Sequence, residues 1–363
     1  MTRTAPGMTI TEMVVPSSVD APGAEEFLAM VDLGNQVCVL DAGTDDLYET
    51  PAEALPRWLD RTDDTYRGYI ARSEDGDIIG AAFLRTSNEE GSTTAEADIA
   101  VLPPHVSSGV AAALLEHVQE EARRLGRRTL QVWTLHPVAP AARMLTPATG
   151  HGRVAATELS DVLTADGFVM EQVERTSTLA LDGDLSLAER MLAEASAIAG
   201  DDYRVVSWTL PTPEHLREGY ANVISRMATD VPSGDLVFEE EKWDAERVVR
   251  HDRVIADAGQ MLSVAAVEHV PTGRIVAFNE LVIGPDRSAV THQYGTLVVK
   301  EHRGKRLGTI VKCANVLRWR DLAPDSPRIC TFNAEENRPM LDINEAIGFV
   351  PASYAAGWQK KLS

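Results

Sequence analysis

The segment with the most evident chemistry covers residues 296–308 and reads TLVVKEHRGKRLG. Alternating apolar residues before it predict a strand, and the apolar period after it predicts a helix. A chain that passes from a strand through a short loop into a helix presents unpaired backbone N–H groups at the positive end of the helix dipole. Arg303, Lys305 and Arg306 add cationic charge there. The segment therefore suits a pyrophosphate, although an ordinary strand–helix turn with a solvated basic patch would show the same residues.

The elements around this loop form a regular series in the second half of the chain. Alternating apolar positions predict three strands, and two turns rich in Pro and Gly join them into an antiparallel meander. In order, the series comprises strands over residues 260–270, 274–283 and 288–299, the basic loop, a helix to about Arg320, a strand over 328–333, a helix over 337–347, and Gly348-Phe349 before a last strand pair.

The first half of the chain repeats the same order of elements. The repeat consists of strands over residues 66–72, 77–86 and 93–101, the loop PPHVSSGVA, a helix ending at Gly126, a strand over 129–135, a helix over 158–165, and Gly167-Phe168. A Pro/Gly/Ala-rich stretch over residues 136–156 is a longer loop, and residues 184–200 have a helical period. An internal repeat of this length predicts two similar α/β domains. We place them at residues 1–183 and 204–363, with a helical linker over 184–203.

Composition excludes several classes of function. A hydrophobic share of 44% supports packed cores. A net charge of −21 argues against a nucleic-acid binder, because such proteins carry a basic surface. Cys38, Cys313 and Cys330 have neither disulfide nor zinc spacing, so we expect no metal. No apolar run could span a membrane, and the N-terminus lacks the apolar region of a signal peptide. We therefore expect a cytoplasmic protein with no membrane partner.

The basic loop resembles motif A of the GNAT superfamily of N-acetyltransferases, whose loop Arg/Gln-x-x-Gly-x-Gly/Ala binds the pyrophosphate of acetyl-CoA. Arg303, Leu307 and Gly308 fit that pattern, whereas Arg306 replaces the middle glycine. The region that follows resembles motif B, through Asn333, Asn337, Met340 and Ile347-Gly348-Phe349. The resemblance covers residues 204–363 well and 1–182 more weakly. The tandem arrangement is similar to the two-domain actinobacterial acetyltransferases, a group that includes mycothiol synthase.

The resemblance implies two tandem GNAT domains, each a mixed, mostly antiparallel sheet flanked by helices. It implies acetyl-CoA as the acyl donor, direct attack by an amine in a ternary complex, and no metal. The backbone of Leu297, Val298 and Val299 would bind pantetheine. The pyrophosphate and the opposite wall of the slot would involve Arg303, Gly304, Lys305, Arg306, Leu307, Gly308, Thr309, Asn333 and Asn337.

Several residues are candidates for the general base and the general acid of the reaction. Family members with a glutamate base carry it on the strand before the loop, and the same count back from Arg303 reaches His292, with Tyr294 nearby. Glu280 on the adjoining strand is a second candidate for the base. The tyrosine acid that many members carry is replaced by Asn344, so Tyr294, Tyr354 or water would have to protonate the thiolate.

The N-terminal copy has the more degenerate loop. It keeps Gly109 and Ala111 but has Val106 in place of the leading Arg or Gln, and Ala95 falls at the base position beside Glu96 and Asp98. We therefore expect the C-terminal copy to be the active one, and a monomer, or a weak homodimer, in which the two domains pack as a pseudo-dimer. The alternatives are an acyl-CoA-binding protein without turnover and a purely structural role.

The acceptor is expected to be a small-molecule amine. In this family it enters over the first two helices of a domain, here about residues 213–258. That stretch contains Asp230, Asp235, Glu239-Glu240-Glu241 and Trp243. The acidic run could recruit a basic amine, but such runs also decorate helix N-termini for the sake of the dipole.

Overall fold

A computed structural model describes residues 7–363 of the chain. The strands are β1 (Thr9–Glu12), β2 (Asp64–Arg72), β3 (Ile78–Ser87), β4 (Thr94–Ala100), β5 (Thr129–Pro137), β6 (Met144–Leu145), β7 (Val154–Ala155), β8 (Val169–Ala180), β9 (Tyr203–Thr209), β10 (Met261–His269), β11 (Arg274–Ile283), β12 (Thr291–Val298), β13 (Arg328–Ala334) and β14 (Val350–Lys361).

The helices are α1 (Glu25–Ala42), α2 (Pro51–Leu59), α3 (Pro103–Val106), α4 (Val110–Arg124), α5 (Glu158–Ala165), α6 (Ser186–Ala199), α7 (Glu214–Ile224), α8 (Met227–Asp230), α9 (Ala245–Asp257), α10 (Leu307–Leu322) and α11 (Arg338–Ile347). A 3₁₀ turn, Lys300–His302, precedes α10. The predicted internal repeat is confirmed by this order, since β1, α1, α2, β2–β4, α4, β5, α5 and β8 recur as β9, α7, α9, β10–β12, α10, β13, α11 and β14.

Twelve of the strands form one continuous mixed sheet, in the order β1-β2-β3-β4-β5-β14-β8-β13-β12-β11-β10-β9. The pairs β4–β5 and β12–β13 are parallel, and the other pairs in this sheet are antiparallel. Strands β6 and β7, inside the predicted long loop, form a separate two-stranded sheet. The predicted α/β fold class, a mostly antiparallel sheet flanked by helices in each half, is confirmed.

The two halves exchange their last strands at the centre of the sheet. Strand β8 of the first half pairs with β13 of the second, with Glu174 opposite Ala334. Strand β14 of the second half pairs with β5 of the first, with Ala355 opposite Leu135. The exchanged strands also pair with each other. Each half is therefore completed by the other, while the exact domain limits at residues 183 and 204 stay predictions.

The parallel strand pair in each half separates toward its C-terminal end. Strand β12 pairs with β13 only from Thr291 to Gln293, and the remainder of β12 has no partner on that side. In the first half, β4 pairs with β5 only from Thr94 to Ala97. Each half thus contains a wedge-shaped opening between two parallel strands, and the helix that follows β4 or β12 begins beside it.

The helices cover the two faces of the sheet in separate layers. Alternate residues of a strand point to opposite faces, so Leu297 packs into the core under α7 and α9, whereas Val298 packs against α10. Trp319 of α10 is fully buried on the second face. The predicted linker helix is α6, and it lies against α10 through Ala188 and Leu192.

Candidate functional site

The loop between β12 and α10 ends in a set of unpaired backbone donors. The first backbone hydrogen bond of α10 runs from the Ile310 N–H to the Arg306 carbonyl, at 3.1 Å. The N–H groups of Leu307, Gly308 and Thr309 precede that bond and have no partner in the preceding turn of helix. They lie at the positive end of a 16-residue helix, beside the opening between β12 and β13. This arrangement suits an anionic ligand.

Arg306 has a backbone conformation that ordinarily requires glycine. Its φ is +60°, and it is the one non-glycine residue among residues 7–363 with positive φ. Gly109, at the same position of the N-terminal loop, has φ +88°. The turn therefore keeps the shape of a glycine loop although a cationic side chain has replaced the glycine. That side chain and Lys305 are both exposed.

Arg303 stabilises the loop from within. Its Nε donates to the carbonyl of Val298 at 3.1 Å, and an Nη donates to the carbonyl of Asp230 at 2.9 Å. Lys300 forms an ion pair with the buried Asp230 carboxylate at 3.1 Å. Arg303 thus ties the end of β12 to α8. Arg303, Lys305 and Arg306 are all exposed, and no hydrogen bond within the loop engages the side chains of Lys305 and Arg306 among the described residues.

The opposite wall of the opening is α11, which approaches α10 closely. A Cβ at Gly308 would lie 3.0 Å from the Cδ1 of Ile343 on α11, so a larger residue would crowd the end of that side chain. One turn further along α10, Lys312 is fully buried and its Nζ donates to the Asn344 Oδ1 at 2.8 Å. The Asn344 amide in turn donates to the Asn333 Oδ1. Burial lowers the pKa of Lys312 to about 7.

Two predicted wall residues have structural contacts here. Asn333 is bound to Asn344, as described, and Asn337 is the residue before α11. The Asn337 carbonyl accepts from the N–H groups of Met340 and Leu341, at 3.0 and 3.1 Å. Tyr354, predicted as one candidate acid, lies on the exchanged strand β14 and packs against the core of the N-terminal half.

His292 and Tyr294 point away from α10, toward the N-terminal half of the chain. The neighbouring Thr291 points the other way, and its hydroxyl accepts a hydrogen bond from the indole of Trp319 on α10. Burial lowers the pKa of His292, against the opposing effect of nearby carboxylates that include Glu49 and Glu53. Burial and the same carboxylates raise the pKa of Tyr294 to about 12.

His292 and Tyr294 lie in a cleft. Tyr294 keeps 49% of its surface exposed although protein surrounds it on several sides. The carboxylates near it, Glu49 and Glu53, belong to the α1–α2 segment of the other half. The structure therefore brings His292 and Tyr294 together, and the first half of the chain covers them.

Glu280 on β11 is a buried residue whose side chain joins this strand to β12 and α7. Its carboxylate accepts from the hydroxyl of Tyr220 and from the backbone N–H of Gly295, the latter at 2.8 Å. The register of β11 and β12 shifts at this point, between Asn279 and Leu281. Burial raises the pKa of Glu280, and both of its oxygens are engaged. The contact holds an irregularity of β12 in place, and a role as base stays a prediction.

The N-terminal loop opens on a small space with an acidic lining. A cavity of about 140 Å³ lies between the end of β4, the start of α4 and the start of α5. Val106 and Ala111 line it together with Asp41 and Glu158, and none of the lining residues described is cationic. Burial raises the pKa of Asp41 to about 6, with Asp98 adding to the effect. A pyrophosphate would meet carboxylates here rather than cations.

A cavity of about 610 Å³ lies between the two halves. Its floor is the sheet, from Glu96 on β4 across β5 to Glu174 on β8, and its roof is the segment over residues 224–243. The predicted acceptor region is thus part of it, through Glu239-Glu240-Glu241 and Trp243. Sequence reasoning missed Glu174, because only the strand exchange places it beside the second half.

Residues 7–363 contain neither a recognisable metal-binding cluster nor a helix that could span a membrane. No group of three or more His, Cys, Asp or Glu side chains in this range could hold a metal ion. Nor does any helix of this part of the chain combine the length and apolar character of a membrane span.

Comparison with known proteins agrees with this architecture. The model of the acetyltransferase (GNAT) family matches residues 39–146, in the half where the sequence showed the weaker resemblance. This half keeps Gly109 where the other has Arg306. A search of curated proteins finds no match.

Solved structures match over nearly the whole length. A tandem GNAT protein from the clavulanic acid biosynthesis pathway has 21% identity and a TM-score of 0.71, covering 98% of this chain and 99% of that one. A GCN5-related N-acetyltransferase from Sphaerobacter thermophilus has 12% identity and a TM-score of 0.61, covering 97% and 96%. A glucosamine N-acetyltransferase region of a fungal multi-domain β-N-acetylglucosaminidase has 12% identity and a TM-score of 0.59, covering 98% of this chain and 38% of that one. These likenesses concern the fold.

Proposed function

We propose that this chain, which has the fold of a tandem GNAT protein and matches the acetyltransferase (GNAT) family model over residues 39–146, transfers an acetyl group from acetyl-CoA to the primary amine of a small molecule, in its C-terminal half. The observation that carries this proposal is the contrast between the two loops. The C-terminal loop combines free N–H groups at the start of α10 with the exposed cations Lys305 and Arg306. The N-terminal loop opens on Asp41 and Glu158.

The chain's own residues would divide the work as follows. The loop over residues 303–309 binds the pyrophosphate, and the unpaired edge of β12 after Gln293 offers its backbone to pantetheine. Both reactants meet where β12 and β13 separate, and holding them together supplies much of the rate. The amine attacks the thioester carbonyl, a C–N bond forms, and the C–S bond breaks with its electron pair on sulfur.

The leaving thiolate needs stabilisation, and we assign it to Lys312 acting through Asn344. Lys312 donates to the Asn344 Oδ1, and one N–H of that amide is used by Asn333. In this proposal the second N–H of the Asn344 amide donates to the thiolate, and the buried ammonium polarises it. This pair would replace the tyrosine that many family members carry on the equivalent helix.

Two secondary features complete the proposal. Cys38, Cys313 and Cys330 are free thiols, which suits a reducing cytoplasm. The two halves already complete each other's sheets, so we propose a monomer. An acyl-CoA-binding protein without turnover is the second candidate, and the observation that favours it is Asn344 at the position of the usual acid.

Calorimetric titration with acetyl-CoA tests the location of the site. Lys305→Glu and Ser108→Glu form a matched pair, because each adds an acidic side chain at the third position of its loop, and both positions are exposed. We expect one site per chain, weakened at least tenfold by Lys305→Glu and unchanged by Ser108→Glu. Loss of binding in Ser108→Glu alone would move the site to the N-terminal half. Binding by the wild type with no acetylation of any amine would favour the second candidate.

A further inference from the structure

The cavity of about 610 Å³ has its floor on the N-terminal half and its roof in the segment over residues 224–243. Its described lining includes no residue of β12, β13, α10 or α11, so the cavity is separate from the C-terminal opening. It also shares no described lining residue with the small cavity beside the N-terminal loop. A ligand bound in this cavity would therefore lie away from both cofactor loops.

The lining of the cavity carries a large excess of negative charge. It contains eight carboxylates and two cations among the described residues. Some of the carboxylates have partners within the protein. Arg85 forms an ion pair with Asp64 at 3.1 Å, and Arg247 forms ion pairs with both Glu89 and Glu241 at 2.9 Å. The excess charge therefore belongs to carboxylates that the protein has not paired.

Glu174 on β8 is one carboxylate of this cavity that has no partner. It has no hydrogen bond or ion pair among the described residues, although protein surrounds it. Its neighbour Glu336 accepts from Gln172 at 2.6 Å through one oxygen, and the other oxygen is buried without a partner. Burial and the Glu336 carboxylate raise the pKa of Glu174 to about 7. Two adjacent carboxylates without a cation are costly, and a bound ammonium would relieve that cost.

Glu96 on β4 is a second carboxylate of the lining without a hydrogen bond or an ion pair among the described residues. Burial raises its pKa, against the opposing effect of Arg85. Strands β5 and β14 lie between β4 and β8, so three strand spacings, roughly 14 Å, separate the strands that carry Glu96 and Glu174. One ammonium group cannot reach both carboxylates, whereas a linear molecule with an ammonium group at each end can.

The roof of the cavity supplies apolar surface. Met227, Val231, Phe238 and Trp243 line it. A cavity of this volume suits a small organic molecule, and an alkyl chain between two ammonium groups would pack against such a roof. The lining thus fits the apolar chain of the ligand as well as its charged ends.

We propose that this cavity binds a linear organic dication, with one ammonium group on Glu96, the other on Glu174 and the apolar chain under the roof. The ligand is bound without being acetylated, because neither cofactor loop borders the cavity. It acts as an effector of the C-terminal half, and the acceptor amine of the proposed function binds elsewhere.

The roof connects this cavity to the C-terminal cofactor loop. Met227 and Ala228 of α8 line the cavity. At the end of the same short helix, the Asp230 carbonyl accepts from Arg303, and the Asp230 carboxylate pairs with Lys300. Carboxylates of the floor and the roof repel each other in the empty cavity, so a dication between them holds the roof in place. The same ligand thereby steadies the loop.

The dication should therefore tighten acetyl-CoA binding, and acetyl-CoA should tighten binding of the dication by the same factor. This effect on acetyl-CoA rests on the proposed function, whereas binding of the dication does not. The two are measured separately in the full chain.

The test titrates 1,10-diaminodecane into the protein by calorimetry, with decylamine as the matched probe that has one ammonium group. Glu174→Gln and Glu96→Gln each keep the shape of a side chain and remove a repelling charge, so both variants should fold. Glu194→Gln, on the exposed surface of α6, is the charge-matched control. Thiol release from acetyl-CoA shows whether the diamine is acetylated.

We expect wild type and Glu194→Gln to bind one diamine per chain, at least tenfold more tightly than decylamine. In Glu174→Gln and in Glu96→Gln the two probes should bind within threefold of each other. The proposal would be overturned by absence of diamine binding, by tight diamine binding that neither variant weakens, or by thiol release that requires both the diamine and Glu174.

Acetyl-CoA is titrated with and without saturating diamine, into wild type and into Lys300→Met, which lacks the ion pair with Asp230. We expect the diamine to tighten acetyl-CoA binding at least threefold in wild type and less than twofold in Lys300→Met. Unchanged acetyl-CoA affinity in wild type would overturn the effector role. If acetyl-CoA does not bind at all, the proposed function fails, while the diamine titration still decides whether the cavity is a dication site.

Discussion

Arg306 and Gly109 hold the same backbone position in the two loops, with φ of +60° and +88°. The left-handed conformation costs an arginine roughly 1–2 kcal/mol, whereas glycine adopts it freely. The C-terminal loop thus keeps a cation at a strained position beside the free N–H groups of α10. The N-terminal loop has the relaxed residue and no cation.

Exchanging these two residues separates the effect of backbone strain on stability from the effect of the cationic charge on acetyl-CoA binding. Arg306→Gly should leave the free energy of unfolding unchanged or raise it by about 1 kcal/mol, and should weaken acetyl-CoA binding several-fold at low salt. Gly109→Arg, where a Cβ meets no atom within 4 Å, should lower stability by roughly 1–2 kcal/mol through backbone strain. Urea denaturation and calorimetry at two salt concentrations measure both effects. A stability loss in Arg306→Gly would show that the arginine side chain supports the loop.

Lys312 should lower the stability of the folded protein while it supports the reaction. Its pKa in the folded protein is about 7, below the ordinary value of 10.5, so the unfolded chain binds more protons between these pH values. The free energy of unfolding of the wild type should therefore rise with pH from about 7 to about 10.5. Lys312→Met should remove that rise and be more stable by about 2–4 kcal/mol at pH 6.

The same variant tests the role assigned to the lysine. We expect Lys312→Met to bind acetyl-CoA normally and to lose at least tenfold in kcat, because the thiolate loses its stabilising charge. Denaturation curves at pH 6 and pH 10 and thiol-release kinetics measure the two effects. Wild-type kcat in Lys312→Met would mean that another group stabilises the thiolate.

Glu280 should behave as a structural residue. Glu280→Gln turns one oxygen into an amide donor that faces either the Tyr220 hydroxyl or the Gly295 N–H, so we expect a loss of roughly 1–3 kcal/mol of stability. Tyr220→Phe removes only one of the two contacts and should cost less. Thermal denaturation measures both variants. A large loss of kcat without a loss of stability in Glu280→Gln would instead identify Glu280 as the base.

The exchanged strands make the halves interdependent. Residues 1–183 expressed alone lack β14 beside β5, and residues 184–363 alone lack β8 beside β13. Each fragment would expose unpaired strand edges at the centre of the sheet, so we expect aggregation of either one. Co-expression should give a soluble 1:1 complex by size-exclusion chromatography. A fragment that melts cooperatively by itself would contradict this expectation.

Local features of the sequence predicted most of the fold. The meander over β10–β12, the helix after the basic loop and the repeated order of elements follow from apolar periods and turn residues. The partner of a strand does not follow from its own residues, since β8 and β14 would look the same with or without exchange. Glu174 was therefore missed, and the cover of His292 by the α1–α2 segment was not foreseen. The hydrogen bond from Arg303 to the Asp230 carbonyl was not foreseen either, because no local sequence pattern shows that α8 lies beside the loop.

The position of β14 also has a consequence for synthesis on the ribosome. The N-terminal half needs β14 beside β5, and β14 comprises residues 350–361. This half therefore cannot finish folding while the second half is being translated. During that time β5 and β8 each have an edge without its hydrogen-bonding partner strand. A nascent chain of this kind is a natural client for chaperones that shield unpaired strands, and premature termination within the second half would leave neither half usable.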